Sequence, residues 1–346
     1  MSIMKKSIKR WTFNLILLTA LGAMAGCGST NESPPADMEQ TPAAVSPSST
    51  ASPAPTATDP YPLKIRVNGS DITIPSKPER IAALSLDAAE VVLELTDAER
   101  VAVVPRSIEN PSLAFRTEEG SRIANKIAGA TSLDPEEVLS YNADLLIMTK
   151  LHDKEKEATD LLEQSGIPII SLDSWSTMEA LMNNITTIGA AIGEEKQATA
   201  VVADIQDRQD KVVSAVANAE KPNVLVVSPL GPGTGPYLLG SSNISYDLVR
   251  LAGAEHAADH LGLTRTTKAT IEQVIKADPD YILLVEWEEG KMDDMDEVAQ
   301  TPGWSTLQAV QNDRVLRMPA RKLLNPTRYS IDTLEEIAHW LHPDRF

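Results

Sequence analysis

Cationic, hydroxyl and aromatic side chains come directly after the predicted buried strands in the first half of the folded chain. The apolar runs 101–104, 145–148 and 167–170 are typical of parallel strands that are buried on both faces. Loops from successive parallel strands converge beyond the carboxyl ends of a sheet, where open α/β folds hold their ligands. The side chains that this rule places there are Arg106, Lys150, His152, Ser174 and Trp175.

A second group of such side chains follows the predicted strands near the end of the chain. Its members are Tyr237, Trp287, Arg321, Arg328 and Tyr329. Planar guanidinium groups and aromatic faces suit a large, flat or polyoxygenated ligand. The two groups are therefore predicted to line a ligand-binding cleft. The alternative, which the sequence leaves open, is that these loop residues are solvated or packed locally.

The sequence offers no set of residues for catalysis. It contains no G-x-S-x-G motif, and its single cysteine, Cys27, lies near the start of the chain. His256 and His260 have i, i+4 spacing but lack the glutamate and the third ligand of a zinc site, so they are interpreted as surface residues. The glycine-rich stretch 231–236 is interpreted as a loop, because no helix begins after it. We expect no enzyme activity, no resident metal and no cofactor.

A long amphipathic helix is predicted over residues 194–219, which contain neither Gly nor Pro. Its apolar residues recur at helical spacing: Ala198, Val201, Val202, Ile205, Val212, Val213 and Val216. At 1.5 Å per residue such a helix is about 39 Å long, which is more than one small domain needs. We interpret it as a connector between two lobes. The alternative is a long helix on one face of a single domain.

The segments on either side of this helix resemble each other. Residues 134–148 align without a gap with residues 270–284, and each reads as a short amphipathic helix, a polar turn with Asp, and a buried strand. Strands are also predicted at 80–84, 101–104, 167–170, 223–227 and 314–317, with helices at 88–95, 177–191, 244–251 and 327–341. Alternating strands and helices predict parallel sheets with helices on both faces. An Asn68-Gly69 hairpin precedes them.

The start of the chain carries an export signal. Lys5, Lys6, Lys9 and Arg10 precede the apolar run 15–25, which is too short to span a membrane and ends in small residues. The stretch 24–27, Met-Ala-Gly-Cys, resembles the lipobox of bacterial lipoproteins. That resemblance implies cleavage before Cys27 and a lipid on its sulfur, which would hold the protein at the outer face of the cytoplasmic membrane.

Five segments are predicted in all. They are a signal peptide (1–26), a disordered tether rich in Ser, Thr and Pro (27–62), an N-terminal lobe (63–193), the connecting helix (194–219) and a C-terminal lobe (220–346). After cleavage, 27 of the 31 Lys and Arg residues remain against 49 Asp and Glu. Such an acidic protein is a poor partner for nucleic acid, whose binding depends on neutralising phosphates.

Several of these stretches together resemble one family. PERIAALSLDAAEVVLEL, LEQSGIPIISLDS, YDLVRLAGAEHAAD and LEEIAHWLHPDRF, in this order, are similar to the solute-binding proteins of iron-siderophore, heme and cobalamin ABC importers. The resemblance covers residues 63–346. It implies two α/β lobes joined by one long helix (the class III type), a ligand in the cleft between them, and a membrane permease as partner.

The resemblance also implies roles for two acidic residues. Glu90 and Glu255 match the glutamates that pair with permease arginines in the family. The local sequence gives Glu90 a second interpretation, because Asp87 and Glu90 have the spacing of a helix cap and its acidic third residue. The two roles are compatible.

The sequence leaves three candidate ligands, which are ranked here. A ferric siderophore comes first because the predicted cleft arginines suit anionic chelate oxygens. Cobalamin is second, favoured by the tryptophans. Heme is third, with His152, Tyr237, Met318 and Tyr329 as candidate axial ligands. An exported enzyme on the same scaffold is the alternative from another functional class.

Overall fold

The structure is a computed structural model that describes residues 60–129, 133–149, 154–228, 237–268, 270–287, 299–300 and 302–346. The predictions for the signal peptide, Cys27, the tether up to residue 59, Lys150, His152 and the loop 231–236 lie outside these residues. No helix within the described ranges is long and apolar enough to cross a membrane.

The described chain begins with the predicted hairpin. Strands β1 (Leu63–Val67) and β2 (Ser70–Ile74) pair antiparallel. Asn68 and Gly69 form the turn with φ of 51° and 81°, in the left-handed region that this dipeptide tolerates. The Asn68 side-chain amide donates to the Ser171 carbonyl at 2.6 Å, which ties the hairpin to the first sheet.

The first sheet is fully parallel, with strand order β5-β4-β3-β6-β7. Its strands are β3 (Ile81–Ala83), β4 (Val101–Pro105), β5 (Lys126–Ile127), β6 (Leu145–Thr149) and β7 (Ile169–Leu172). The helices around it are α1 (Leu86–Leu95), α2 (Thr117–Arg122), α3 (Pro135–Ser140), α4 (Lys154–Glu163) and α5 (Met178–Ile192). Every residue of β3, β4 and β6 is buried, as continuous apolar runs in a parallel sheet require.

Helix α6 (Glu195–Val216) is the predicted long helix and has 22 residues. Its buried residues, Ala198, Val201, Ile205, Val212 and Val216, belong to the predicted apolar stripe. Through this stripe α6 packs on α5 and on the last helix of the chain. One continuous apolar core extends from the first sheet through α5 and α6 into the helices of the second sheet.

The second sheet has the order β11-β9-β8-β12-β13, with β10 paired to the start of β8. Its strands are β8 (Asn223–Ser228), β9 (Tyr237–Leu238), β10 (Glu255–His256), β11 (Thr267–Lys268), β12 (Tyr281–Glu286) and β13 (Val315–Pro319). The helices are α7 (Ile244–Leu251), α8 (Ile271–Ala277), α9 (Gln308–Gln311), α10 (Ala320–Leu324) and α11 (Ser330–Leu341). Strand β9 runs antiparallel to β8 and β11, which the sequence patterns did not indicate.

The predicted fold class is confirmed: two α/β lobes with mainly parallel sheets, joined by one long helix. The predicted lobe boundaries stay a prediction, because residues 58–346 pack as one compact unit.

The two segments that align in the sequence share their geometry. Asn142 and Asp278, which occupy equivalent positions, both have left-handed φ angles, 51° and 44°. Two positions further on, Asp144 and Asp280 each accept a hydrogen bond from a backbone N–H at the start of a central strand, β3 and β8 respectively. Asp144 accepts from the Arg80 N–H at 3.0 Å, and Asp280 accepts from the Asn223 N–H at 2.8 Å. The repeat therefore places β3 and β8 at corresponding positions in the two lobes.

A charged cluster fastens α6 to α11. The Arg208 guanidinium donates to Asp332 at 2.6 Å and to both oxygens of Glu335, at 2.8 and 2.5 Å. The pKa of the Glu335 carboxyl is lowered, first by its hydrogen bond to Arg208. This bidentate arrangement is the strong form of an arginine–carboxylate pair, and it fixes the rotation of α6 against the second lobe.

Candidate ligand-binding site

A cavity of about 350 Å³ lies where the strand ends of the two lobes meet. Ser85 and Asp87 follow β3, and Ser107 follows β4. From the second lobe, Ala320, Leu324 and Asn325 follow β13. The carboxyl ends of β3 and β4 in the first sheet and of the edge strand β13 in the second therefore face the same space, as the general rule for open α/β folds predicts.

The Asp87 carboxylate is the charged group of this cavity wall. Its Oδ1 accepts from the Ser85 hydroxyl at 2.5 Å, from the Ala88 N–H at 2.7 Å and from the Thr149 hydroxyl at 3.0 Å. Burial of the carboxyl group raises its pKa, and these hydrogen bonds oppose the shift. The sequence interpretation of Asp87 as a helix N-cap is wrong, because α1 begins at Leu86 and Ser85 occupies the cap position.

The two predicted tryptophans lie beneath the strand ends. Trp175 is only 6 % exposed, and its ring N–H donates to Thr149 at 2.7 Å. Trp287 is half-buried, and its ring N–H donates to the Ser228 hydroxyl at 2.9 Å. Each indole thus holds a buried hydroxyl at the carboxyl end of a strand. Contact of either ring with a ligand stays a prediction.

Arg321 and its neighbours join the second lobe to the first. The Arg321 N–H donates to the Ser112 carbonyl at 2.8 Å, and its guanidinium group donates to the Pro111 carbonyl. The Asn325 amide donates to the Leu113 carbonyl at 2.9 Å. These bonds hold the loop before α2 against α10, so they form one side of the junction between the lobes.

Arg328 and Tyr329 extend the same junction. The Arg328 guanidinium group lies 3.5 Å from the Asp204 carboxylate and 3.9 Å from that of Glu94, so acidic groups of α6 and α1 balance its charge. The Tyr329 ring stacks on Phe115, with centroids 4.6 Å apart. The contribution of Arg328 to an anion-binding cleft is therefore reduced in this arrangement.

The other predicted cleft residues are more dispersed. Arg106 is exposed and begins a short 3-10 helix after β4, next to the cavity residue Ser107. Tyr237 is half-buried in β9. Ser174 is exposed and shares a hydrogen bond of 2.9 Å with Ser176. Met318, a predicted axial ligand for heme, is fully buried.

A second contact closes the junction on its other side. The Asp247 carboxylate on α7 accepts from the Met178 N–H at 2.8 Å, at the first turn of α5. An acidic group at a helix N-terminus is favoured by the partial positive charge there. Asp247 is half-buried, and this burial raises the pKa of its carboxyl group.

Glu90 is buried, which is at odds with its predicted role in docking. It is 2 % exposed, and its Oε1 accepts from the Phe115 N–H at 2.6 Å and the Arg116 N–H at 3.4 Å. Burial raises the pKa of Glu90 to about 7. In this arrangement Glu90 holds the loop that contacts α10, and pairing with an arginine of a second protein would require its side chain to leave this pocket. Its role in docking stays a prediction.

The second predicted docking residue, Glu255, is exposed. It begins β10 and is paired with Asn223, at the end of β8 that is remote from the cavity. Its role in docking stays a prediction.

The interpretation of His256 as a surface residue is wrong. The side chain is 1 % exposed, and its Nδ1 accepts from the Ala258 N–H at 3.2 Å. Burial lowers the pKa of His256 to about 4, so the imidazole is neutral at pH 7. In the described part of the chain, no group of three or more His, Cys, Asp or Glu side chains is placed to hold a metal ion.

None of the predicted cleft residues that the structure describes lines this cavity, and sequence reasoning missed its polar residues Ser85, Asp87, Ser107 and Asn325. The signal was present for the first two, because both come directly after the predicted strand 80–84. Asn325 follows a short helix and not a strand, so the same rule does not select it.

Two lobes whose strand ends enclose a cavity, with a stiff connecting helix, define a class of proteins that bind solutes between their lobes. The chain belongs to the periplasmic binding protein family, whose profile matches residues 81–322. It is therefore a solute-binding protein of an ABC importer and not an enzyme.

The similarity to particular proteins agrees with this class. An ABC transporter substrate-binding lipoprotein of Bacillus subtilis strain 168, YvrC, is 25 % identical over 349 residues and covers 99 % of both chains. A cobalamin-binding protein of Halobacterium salinarum is 25 % identical over 216 residues, which are 61 % of this chain and 55 % of that protein. The structure of the periplasmic heme-binding protein RhuT from Roseiflexus sp. RS-1 superposes with a TM-score of 0.66 at 20 % identity, covering 78 % of this chain and 99 % of that one.

Proposed function

We propose that this chain is a lipid-anchored, extracytoplasmic receptor that captures a large metal chelate between its lobes and delivers it to an ABC permease. The observation that carries the proposal is the cavity formed by the carboxyl ends of strands from both sheets. A volume of about 350 Å³ accommodates one edge of such a chelate. The chelate is the cargo of the protein and not a cofactor.

The chemistry of the cavity bears on the order of the candidate ligands. The sequence favoured a ferric siderophore because arginines were predicted in the cleft. Arg321 and Arg328 instead contact carbonyl and carboxylate groups at the junction. The described cavity wall contains the Asp87 carboxylate and neither Lys nor Arg.

Cobalamin therefore becomes the first candidate, because its rim carries neutral amide groups whose N–H groups can donate hydrogen bonds to the Asp87 carboxylate. The cobalamin-binding relative from H. salinarum supports this choice. A ferric siderophore is the second candidate, and the exposed guanidinium group of Arg106 beside the cavity favours it. Heme is third, since Met318 is too deeply buried to act as an axial ligand in this arrangement.

Ligand binding is tested by titrating the protein with cyanocobalamin, ferric siderophores of different charge, and heme, while tryptophan fluorescence is recorded. We expect cyanocobalamin to quench the emission with submicromolar affinity, since Trp175 is hydrogen-bonded to Thr149, which in turn contacts the cavity residue Asp87. Isothermal titration calorimetry supplies the stoichiometry and corrects for absorbance by the ligand. Tighter binding of a ferric siderophore would exchange the first two candidates. The chelate-receptor proposal would be refuted by a folded protein that binds each of these compounds with a Kd above about 10 μM, which corresponds to a binding free energy of about −7 kcal/mol.

The lipid anchor is tested separately. Replacing Cys27 by Ala removes the sulfur that would carry the lipid. We expect the wild-type protein to sediment with membranes and the Cys27→Ala variant to appear in the soluble extracytoplasmic or culture fraction. A Gly28→Ala variant, which keeps the cysteine, serves as the control and should remain with membranes. Equal membrane association of wild-type protein and the Cys27→Ala variant would contradict anchoring through Cys27.

A further inference from the structure

The two oxygens of the Asp87 carboxylate have different surroundings. Oδ1 accepts three hydrogen bonds from Ser85, Ala88 and Thr149. Oδ2 accepts none from the described residues, and it is not among the buried oxygen atoms that lack a partner. Since Asp87 lines the cavity, Oδ2 is the oxygen that remains open to a molecule entering there.

The Oδ1 contacts also fix the direction in which Oδ2 points. The Trp175 ring N–H donates to the Thr149 hydroxyl oxygen, which leaves the hydroxyl proton of Thr149 to donate to Asp87. Thr149 and Ser85 are both buried, and their hydroxyl oxygens lie 3.2 Å apart. A carboxylate held from one side by three donors is pre-organised to accept from the other side, which is the arrangement that gives a binding site its selectivity.

The charge around Asp87 is not balanced within the described cavity wall. The wall contains no Lys or Arg, and the nearby Arg321 guanidinium group is directed at the Pro111 carbonyl on the junction. A ligand that presents N–H or O–H groups gains a hydrogen bond to Oδ2. A ligand that presents a carboxylate or a catecholate oxygen meets a like charge in a shielded site.

We propose that Asp87 is a specificity-determining residue, whose Oδ2 accepts a hydrogen bond from an amide, hydroxyl or ammonium group of the ligand and whose charge excludes anionic chelates. This inference rests on the proposed receptor function and adds to it the chemical class of the group that is recognised. It also gives a physical reason for placing an amide-rich corrinoid before an anionic siderophore.

The test uses ligands that differ by one group. Cyanocobalamin and its three monocarboxylic acids, in each of which one peripheral amide is replaced by a carboxylate, are titrated into the wild-type protein and into the Asp87→Asn variant by calorimetry. We expect the wild-type protein to bind at least one of the acids about 10- to 100-fold more weakly than cyanocobalamin, the range for losing a hydrogen bond to a charged group. In Asp87→Asn this ratio should fall below about threefold, because the neutral side chain no longer repels the carboxylate.

Two further measurements keep the result interpretable. Asp97→Asn, an isosteric change at an exposed aspartate outside the cavity, is the matched control and should retain the wild-type ratio. Thermal unfolding shows whether the Asp87→Asn variant folds. If it does not fold, the ratio of the affinities of the wild-type protein for cyanocobalamin and its acids decides whether the inference holds. If the ligand panel selects a hydroxamate, ferrioxamine B and its succinylated form, in which a carboxylate replaces the terminal ammonium, form the equivalent pair.

The outcomes separate the inference from the proposed function. Equal binding of amide and acid by the wild-type protein, or the same ratio in wild type and Asp87→Asn, would overturn the role of Asp87 while the receptor function stands. A folded wild-type protein that binds no member of either pair but does bind heme or an anionic siderophore would also overturn the role of Asp87 and leave the receptor function standing. A folded wild-type protein that binds no compound of the whole ligand panel would overturn the receptor function and the inference with it.

Discussion

The Glu90→Gln variant should gain stability relative to the wild-type protein as the pH rises, by about 2 to 3 kcal/mol between pH 5 and pH 8.5. Burial raises the pKa of Glu90 from 4.5 to about 7. The stability that depends on the neutral carboxyl group is therefore fully present below pH 4.5 and is lost as the pH passes through 7. Glutamine keeps an acceptor for the Phe115 and Arg116 N–H groups and cannot ionise, so it does not lose this stability.

Urea unfolding at several pH values, followed by circular dichroism, measures this difference. The matched control is Glu118→Gln on α2, where the side chain is exposed and forms an ion pair with Arg122. Its effect should change by less than about 0.5 kcal/mol over the same range, because exposed ion pairs contribute little. If the stability curves of Glu90→Gln and wild type stay parallel from pH 5 to 8.5, the carboxyl group of Glu90 is not shielded as the structure requires.

Ionisation of Glu90 also affects the junction between the lobes. Glu90 holds the N–H groups of Phe115 and Arg116, and the loop that ends there contacts Arg321, Asn325 and Tyr329 of the second lobe. A change in the charge of Glu90 therefore acts on the segment that joins the lobes. A docking role for Glu90 would require the side chain to turn outwards, and the predicted increase in stability of Glu90→Gln would then be absent.

The second large effect is expected where α5 crosses α6. A Cβ atom added at Gly189 would lie 2.3 Å from the Cβ of Ala198, which is far closer than packed carbon atoms approach. Replacing Gly by Ala inside a helix usually adds about 1 kcal/mol of stability. Here we expect Gly189→Ala to lower the free energy of unfolding by about 1 to 3 kcal/mol, because the two helices must move apart.

The Gly189→Ala/Ala198→Gly double variant separates packing from helix propensity. Exchanging the two residues restores the close approach of the helices and keeps their total helix propensity nearly constant. We expect the double variant to unfold within about 1 kcal/mol of the wild type, although each single variant is destabilised. Simple additivity of the two single effects would show that the close contact between α5 and α6 is not present in solution.

The secondary structure and fold class could be predicted because they depend on local patterns. The continuous apolar runs predicted the buried parallel strands, and the stripe from Ala198 to Val216 predicted α6. The Asn68-Gly69 turn and the aligned segments 134–148 and 270–284 follow from backbone preferences that neighbouring residues determine. The short antiparallel strand β9 was recognisable as a strand, but its direction depends on a partner that the local sequence does not name.

The site was predictable only as a region. The rule that ligands lie beyond strand ends pointed to the chain after β4, β6, β7, β12 and β13, and it passed over the cavity residues Ser85 and Asp87 that follow β3. It could not show that Trp175 is buried under Thr149, or that Arg321 contacts Pro111, because those partners are 26 and 210 residues apart. Side chains of the same type look alike in a sequence whether they face a cavity or a junction.

The sequence by itself determined the class of this protein: its paired lobes, its long connecting helix and its family are all encoded in patterns that short stretches carry. Only the tertiary structure decided what the individual charges do. It turned Asp87 towards a cavity, buried Glu90 and His256, and paired Arg328 with Glu94 and Asp204. The physical reason is that backbone conformation responds to adjacent residues, whereas the solvation of a charge depends on every group that folding brings around it.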